Sequence, residues 1–231
     1  MDYILEGFSI AIGLLLSADE ETFSAVFTTL RVSTLSIFTS LLIGIPLGFI
    51  LGYHHFPGRR LARTVVDTLL ALPTVVIGLL VYAFISRRGP LGELGLLFSL
   101  KGVAIGQVIL ALPIVIALTA SAVEELDERL RQTLLTLGAD SKGLALSTLW
   151  EARYAVLIAA ITGYGRVISE VGISMMIGGN IKWHTRTITT AIALETGKGQ
   201  FGAGIALGLV LLALAFIVNV GVSFLRRRAT A

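Results

Sequence analysis

The stretch VSTLSIFTSLLIGIPLGFILGY, Val32–Tyr53, runs for 22 residues without a charged side chain. About 20 apolar residues, at ~1.5 Å of helical rise each, cross a hydrocarbon core ~30 Å thick. The stretch therefore reads as a membrane-spanning helix. Thr68–Ser86, Gly102–Val123 and Gly199–Leu225 are likewise free of charge over 19 residues or more. Tyr154 to about Gly178 has the right length but contains Arg166 and Glu170. Tyr3–Leu16 is only 14 residues long and carries Glu6, which suits a helix lying in the interface. No Lys or Arg precedes it, so it does not read as a secretory signal. Ser17 and Glu20 have capping-box spacing, which predicts a helix start at Ser17. The expectation is a single all-α integral membrane domain, 1–231. Residues 1–17 form the interfacial helix, and five spans lie at about 22–53, 66–86, 102–123, 154–178 and 200–225.

Composition agrees. Of 231 residues, 55% are hydrophobic and 14% charged, with mean hydropathy +0.88 and no cysteine. A soluble domain carries about 25% charged residues, so an ordinary soluble enzyme, a disordered chain and a disulfide scaffold are all excluded. The absence of cysteine also removes thiolate metal sites and a Cys nucleophile.

The basic residues report topology rather than a nucleic-acid partner. With five spans, one set of flanks holds Arg59, Arg60, Arg63, Arg129, Arg131, Lys142, Arg153, Arg226, Arg227 and Arg228. The other holds Arg87, Arg88, Lys101, Lys182, Arg186 and Lys198. The richer set belongs in the cytoplasm. The chain is therefore expected to be multi-pass in the cytoplasmic (inner) membrane, N-terminus out and C-terminus in.

Residues 124–153, EELDERLRQTLLTLGADSKGLALSTLWEAR, are the largest element outside the spans. They read as two amphipathic helices on the cytoplasmic side, broken near Gly138-Ala139-Asp140. Outside, Thr187–Glu195 reads as a helix stopped by Gly197. Gly44, Gly48 and Gly52 form a small-xxx-small ladder around Pro46. Such a ladder lets a second helix approach closely, within the chain or across a dimer seam.

No catalytic residues and no metal site are visible. His54 and His55 point about 100° apart on a helix, and no Walker loop is present to cradle nucleotide phosphates. Arg166 and Glu170 stand four apart on one helical face inside a span. Each costs about 3 kcal/mol at the bilayer centre. They are either a structural pair or the lining of a polar pathway. Arg31, nearer the outer end of span 1, can snorkel. Gly178-Gly179-Asn180 marks a helix end that also offers backbone and amide donors at the outer mouth. Beyond it, Thr185, Thr187, Thr189 and Thr190 are expected to place hydroxyls around Arg186, a chemistry suited to an oxyanion.

The cytoplasmic segment with Leu137-Gly138-Ala139, set between spans 3 and 4, resembles the coupling segment of type I ABC importer permeases. Its general EAA pattern is degenerate, with Gln132, Thr133 and Leu134 at those positions. More specific are Gly165-Arg166-Val167-Ile168-Ser169-Glu170-Val171-Gly172, Met175-Met176-Ile177-Gly178-Gly179-Asn180-Ile181 and Thr189–Thr196. They resemble the tungstate permease family (TupB-like), to which molybdate permeases are related.

The resemblance implies the membrane subunit of an ATP-driven importer of tungstate or a related oxyanion, with molybdate as the alternative substrate. It implies a homodimer in the bilayer, two copies of a partner ATPase carrying ATP and magnesium, and an extracytoplasmic oxyanion-binding protein. No cofactor resides in this chain. Glu128, Arg131, Gly138, Ala139, Asp140 and Lys142 would couple to the ATPase. Arg166, Ser169, Glu170, Met175, Met176, Gly178, Gly179 and Asn180 would form the pathway or its gate. Lys182, Arg186 and Lys198 would meet the receptor. A stand-alone ion carrier using Arg166 and Glu170 is the competing reading, but it has no need of the charged cytoplasmic segment.

Overall fold

A computed structural model describes residues 2–125, 136 and 140–230. Among these, every regular element is helical. In chain order they are α1 (Asp2–Leu16), α2 (Glu20–Tyr53), α3 (Arg59–Leu70), α4 (Thr74–Ile85), a 3-10 turn (Gly92–Leu94), α5 (Leu100–Glu124), α6 (Ser141–Glu151), α7 (Arg153–Ile168), α8 (Gly172–Gly178), α9 (Ile188–Gly197) and α10 (Phe201–Thr230). Glu20–Tyr53, Leu100–Glu124 and Phe201–Val220 are each long and apolar enough to cross a membrane alone. The pairs α3–α4 and α7–α8 reach span length only together, and are bent by 100° and 59° at their junctions. Counting each pair once makes five crossings. The chain is an all-α integral membrane protein.

The α3–α4 corner falls inside the expected second span. Pro73 has no N–H to continue α3, and it holds extended backbone, φ −62° and ψ 131°, before α4 restarts. α3 is held to the ends of α2 and α5. Arg59 Nε donates to the Leu51 carbonyl at 2.8 Å, and its Nη2 to the Gly52 carbonyl at 3.1 Å and to Glu124 at 2.7 Å. Arg63 donates to Ser121 Oγ at 2.7 Å. Ala62 and Val66 pack on Leu51, Ile116 and Ala120. Leu61, Val65 and Leu69 face outward.

α2 and α5 form the central pair. A Cβ placed on Gly44 would lie 2.8 Å from Val115 Cγ1, one on Gly48 2.7 Å from the Ile116 carbonyl, and one on Gly52 2.6 Å from the Ala120 carbonyl. The glycine ladder is thus used inside this chain. Nearer the start of α2, Ser36 Oγ donates to Gln107 Oε1 at 3.0 Å across the same seam, both residues being buried. α1 lies against α10, where a Cβ on Gly7 would come within 2.6 Å of Ile205 Cγ2.

The start of α2 differs from the sequence expectation. The N-cap is Asp19, whose Oδ2 accepts from the Thr22 N–H at 2.8 Å, rather than Ser17. Ser17 remains bonded to Gly13 at the end of α1, and Ala18 makes the corner at φ +49°. Hydrogen bonds from the Thr22 side chain and backbone hold the Asp19 carboxyl below the usual carboxylate range. A depressed folded-state pKa adds stability above the ordinary carboxylate range, and that stability is lost as pH falls through the depressed value. Asp19→Ala should therefore cost about 1 kcal/mol at neutral pH. Thermal melts in detergent should show the wild-type and variant curves converging as pH falls through the depressed value.

Candidate functional site

α7 is a membrane helix with an uncovered polar face. Ala159, Gly163, Val167 and Ile168 are buried against the bundle, with Gly163 so close to Ile37 that a Cβ would sit 2.6 Å from Ile37 Cδ1. On the opposite side Ile158, Thr162, Gly165, Arg166 and Ser169 are exposed, at the i, i+4, i+7, i+8, i+11 spacing of one helical stripe. A Cβ on Gly165 would have nothing within 4 Å. Hydroxyls and a guanidinium facing lipid are costly, so such a stripe belongs beside water or another chain.

The stripe ends where α7 breaks. Ser169 caps it and returns its Oγ to the Gly165 carbonyl at 2.9 Å, which satisfies a carbonyl at the bend. Glu170 then organises the restart. Its Oε1 accepts the Ile173 N–H at 3.1 Å, and its Oε2 accepts from Arg166 Nη1 at 3.2 Å. Thr189 Oγ1 donates to the Glu170 carbonyl oxygen at 2.9 Å. The pair is unequal in its surroundings: the Arg166 side chain is 42% exposed and that of Glu170 only 2%.

α8 is wedged between α4 and α5. Ile173 and Ile177 are fully buried; a Cβ on Gly106 would meet Ile173 Cγ2 at 2.5 Å, and one on Gly78 the Met176 Sδ at 3.0 Å. Met175 faces outward, Met176 is half-buried and Gly178 is buried. Gly179 terminates the helix at φ +70°, where a Cβ would lie 2.7 Å from the Phe98 ring. This position requires glycine for both backbone and space.

Asn180 follows at φ +51°, and its Oδ1 accepts from Arg186 Nε at 3.1 Å. Arg186 also pairs with Glu21, which Lys182 Nζ reaches at 2.6 Å. Lys198 pairs with Glu195 at 2.8 Å.

The threonines do not surround Arg186 as an anion cradle. Thr185 Oγ1 donates to the Gly178 carbonyl and accepts from the Ile181 N–H at 3.1 Å. Thr187 and Thr190 form the capping box of α9, and Thr189 serves Glu170. All four are buried because each completes backbone at an irregular turn inside the bundle. α9 starts with Thr187 as cap, continues through Gly197 and gives way to Gly199 at φ +80°. Sequence reasoning missed Glu21 as the carboxylate shared by Lys182 and Arg186. Only the fold brings residue 21 beside residue 186.

In the segment between α5 and α7, Asp140 caps α6 by accepting from the Gly143 N–H at 2.7 Å, and Lys142 lies in its first turn. Glu128, Arg131, Gly138 and Ala139 lie outside the described residues. Among the described residues, no group of three or more His, Asp or Glu side chains is placed to hold a metal ion.

Residues 44–231 match the family of binding-protein-dependent transport system inner membrane components. The chain belongs to this family. It is 49% identical to the tungstate uptake system permease protein TupB of Campylobacter jejuni, over 95% of this chain and 92% of that protein. It is 38% identical to the TupB of Peptoclostridium acidaminophilum, over 95% and 96%. Its fold matches a chain of the inward-facing MetNI methionine ABC transporter with TM-score 0.74 and 18% identity, covering 91% of this chain and 97% of that one. This permease is thus a multi-pass inner-membrane transport component. Its half-exposed Arg166 sits on the polar stripe of a helix that the fold leaves uncovered.

Proposed function

We propose that this permease is the membrane subunit of an ATP-driven importer of tungstate, with two copies enclosing the pathway between their α7 stripes. The observation that carries the reading is the uncovered polar face of α7, with a half-exposed guanidinium near the break of the bent α7–α8 pair. Two relatives named as tungstate permeases support the choice of oxyanion. Arg166, Ser169 and Met175 line the pathway. Glu170, Met176, Gly178, Gly179 and Asn180 frame the broken helices that present them. The binding protein delivers the anion on the side of Lys182, Arg186 and Lys198, with the N-terminus out and the C-terminus in. Two ATPase subunits, holding ATP and magnesium, engage the segment that includes Glu128, Arg131, Gly138, Ala139, Asp140 and Lys142.

The test is reconstitution of the permease with its ATPase and binding protein in liposomes. Tungstate should enter only with ATP, and molybdate should compete less well. Gly138→Asp should lower ATP-driven uptake to background while the variant melts like wild type. Tungstate entry into vesicles holding the permease alone would instead support a stand-alone carrier.

A further inference from the structure

We infer that Glu170 sets how readily the pathway releases its anion, by competing with that anion for Arg166. The inference rests on the function proposed above and adds a division of labour within the pair.

Glu170 is held from every side. Its carboxylate takes the Ile173 N–H through one oxygen and Arg166 through the other, and its carbonyl oxygen is bonded by Thr189. With 2% of its side chain exposed, it cannot swing away. Arg166 is held at one point. Its contact with Glu170 runs through Nη1, and among the described residues Nε and Nη2 have no partner. That edge of the guanidinium belongs to a side chain 42% exposed on the polar stripe. A planar guanidinium edge presents two parallel N–H donors at the spacing of two oxygens of an oxyanion.

Ser169 cannot add a second strong donor, because its hydroxyl is bonded to the Gly165 and Arg166 carbonyls. The anion therefore meets one cation whose charge is opposed by a fixed carboxylate 3.2 Å away. Passage requires a site strong enough to admit an ion and weak enough to let it go. In a low-dielectric passage an uncompensated arginine would hold a dianion too long. Two copies would bring two such cations, and two Glu170 carboxylates cancel them. Glu170 is in this sense a positioning residue for Arg166 and a limit on its grip.

The experiment uses the assembled permease–ATPase complex. Retained tungstate is measured by equilibrium dialysis with elemental analysis, and uptake is measured in liposomes. Glu170→Gln keeps an oxygen for the Ile173 N–H while removing the charge. It should raise tungstate affinity about tenfold and slow ATP-driven uptake at saturating tungstate. Perrhenate, a tetrahedral monoanion, should gain less affinity than tungstate from the same change. Arg166→Gln should abolish retained tungstate and uptake together, and it serves as the test if the Glu170 variant does not assemble. Unchanged or weaker tungstate retention in Glu170→Gln overturns the inference, as does wild-type retention in Arg166→Gln. A wild-type complex that imports no tungstate with ATP and binding protein would sink the proposed function itself.

Discussion

Gly48→Ala should destabilise the permease by about 2 kcal/mol, whereas Gly13→Ala should be neutral or stabilising by up to about 1 kcal/mol. The same methyl group is added to a helical glycine in each case, and only the surroundings differ. At Gly48 the new Cβ would lie 2.7 Å from both the Ile116 carbonyl oxygen and Thr119 Cβ, while at Gly13 nothing lies within 4 Å. The Ile116 oxygen is helix backbone, so relief requires α2 and α5 to separate along their whole contact. Close packing makes that costly, since a seam opened for one methyl loses dispersion contacts along its length. Thermal unfolding in detergent, run on both variants, decides the matter. A Gly48→Ala protein as stable as Gly13→Ala would mean that the two helices do not meet through this ladder.

Arg59→Ala should cost about 2–3 kcal/mol, the range for losing charge-assisted hydrogen bonds. Arg59 satisfies the Leu51 and Gly52 carbonyls, which belong to the last turn of α2 and have no following turn to bond them. It also pairs with Glu124 at the end of α5. One side chain thus joins the ends of three helices. Arg59→Lys should recover less than half of the loss, because an ammonium cannot span two carbonyls and a carboxylate in that geometry. Limited proteolysis should open near residues 54–58 in the alanine variant before the rest of the chain. An Arg59→Ala protein with wild-type melting and cleavage would remove this clamp from the account.

These two sites show how differently sequence and structure speak. Gly44, Gly48 and Gly52 announce a close helix contact by spacing alone, because a missing side chain has few other uses in a long apolar helix. Their partner could not be read, since intrachain packing and a dimer seam demand the same pattern. Arg59 and Arg63 read as topology signals. Their structural work depends on carbonyls and a carboxylate that the α3–α4 corner brings near. Ser17 illustrates a local error. Capping-box spacing was present, but the left-handed turn at Ala18 put Asp19 where the orphan N–H groups of α2 point.

Hydropathy by itself determined that this chain lives in a membrane and marked five candidate crossings, because the cost of placing a charge in hydrocarbon leaves so few ways to arrange the uncharged runs. Sequence spacing likewise put Arg166 and Glu170 within reach of each other. The inequality between them belongs to the tertiary structure alone. The break after α7, the wedge of α8 between α4 and α5, and the bond from Thr189 together bury Glu170 and leave Arg166 on an uncovered face. No local rule encodes which member of an i, i+4 pair faces protein and which faces open space, because that is settled by the helices packed around it.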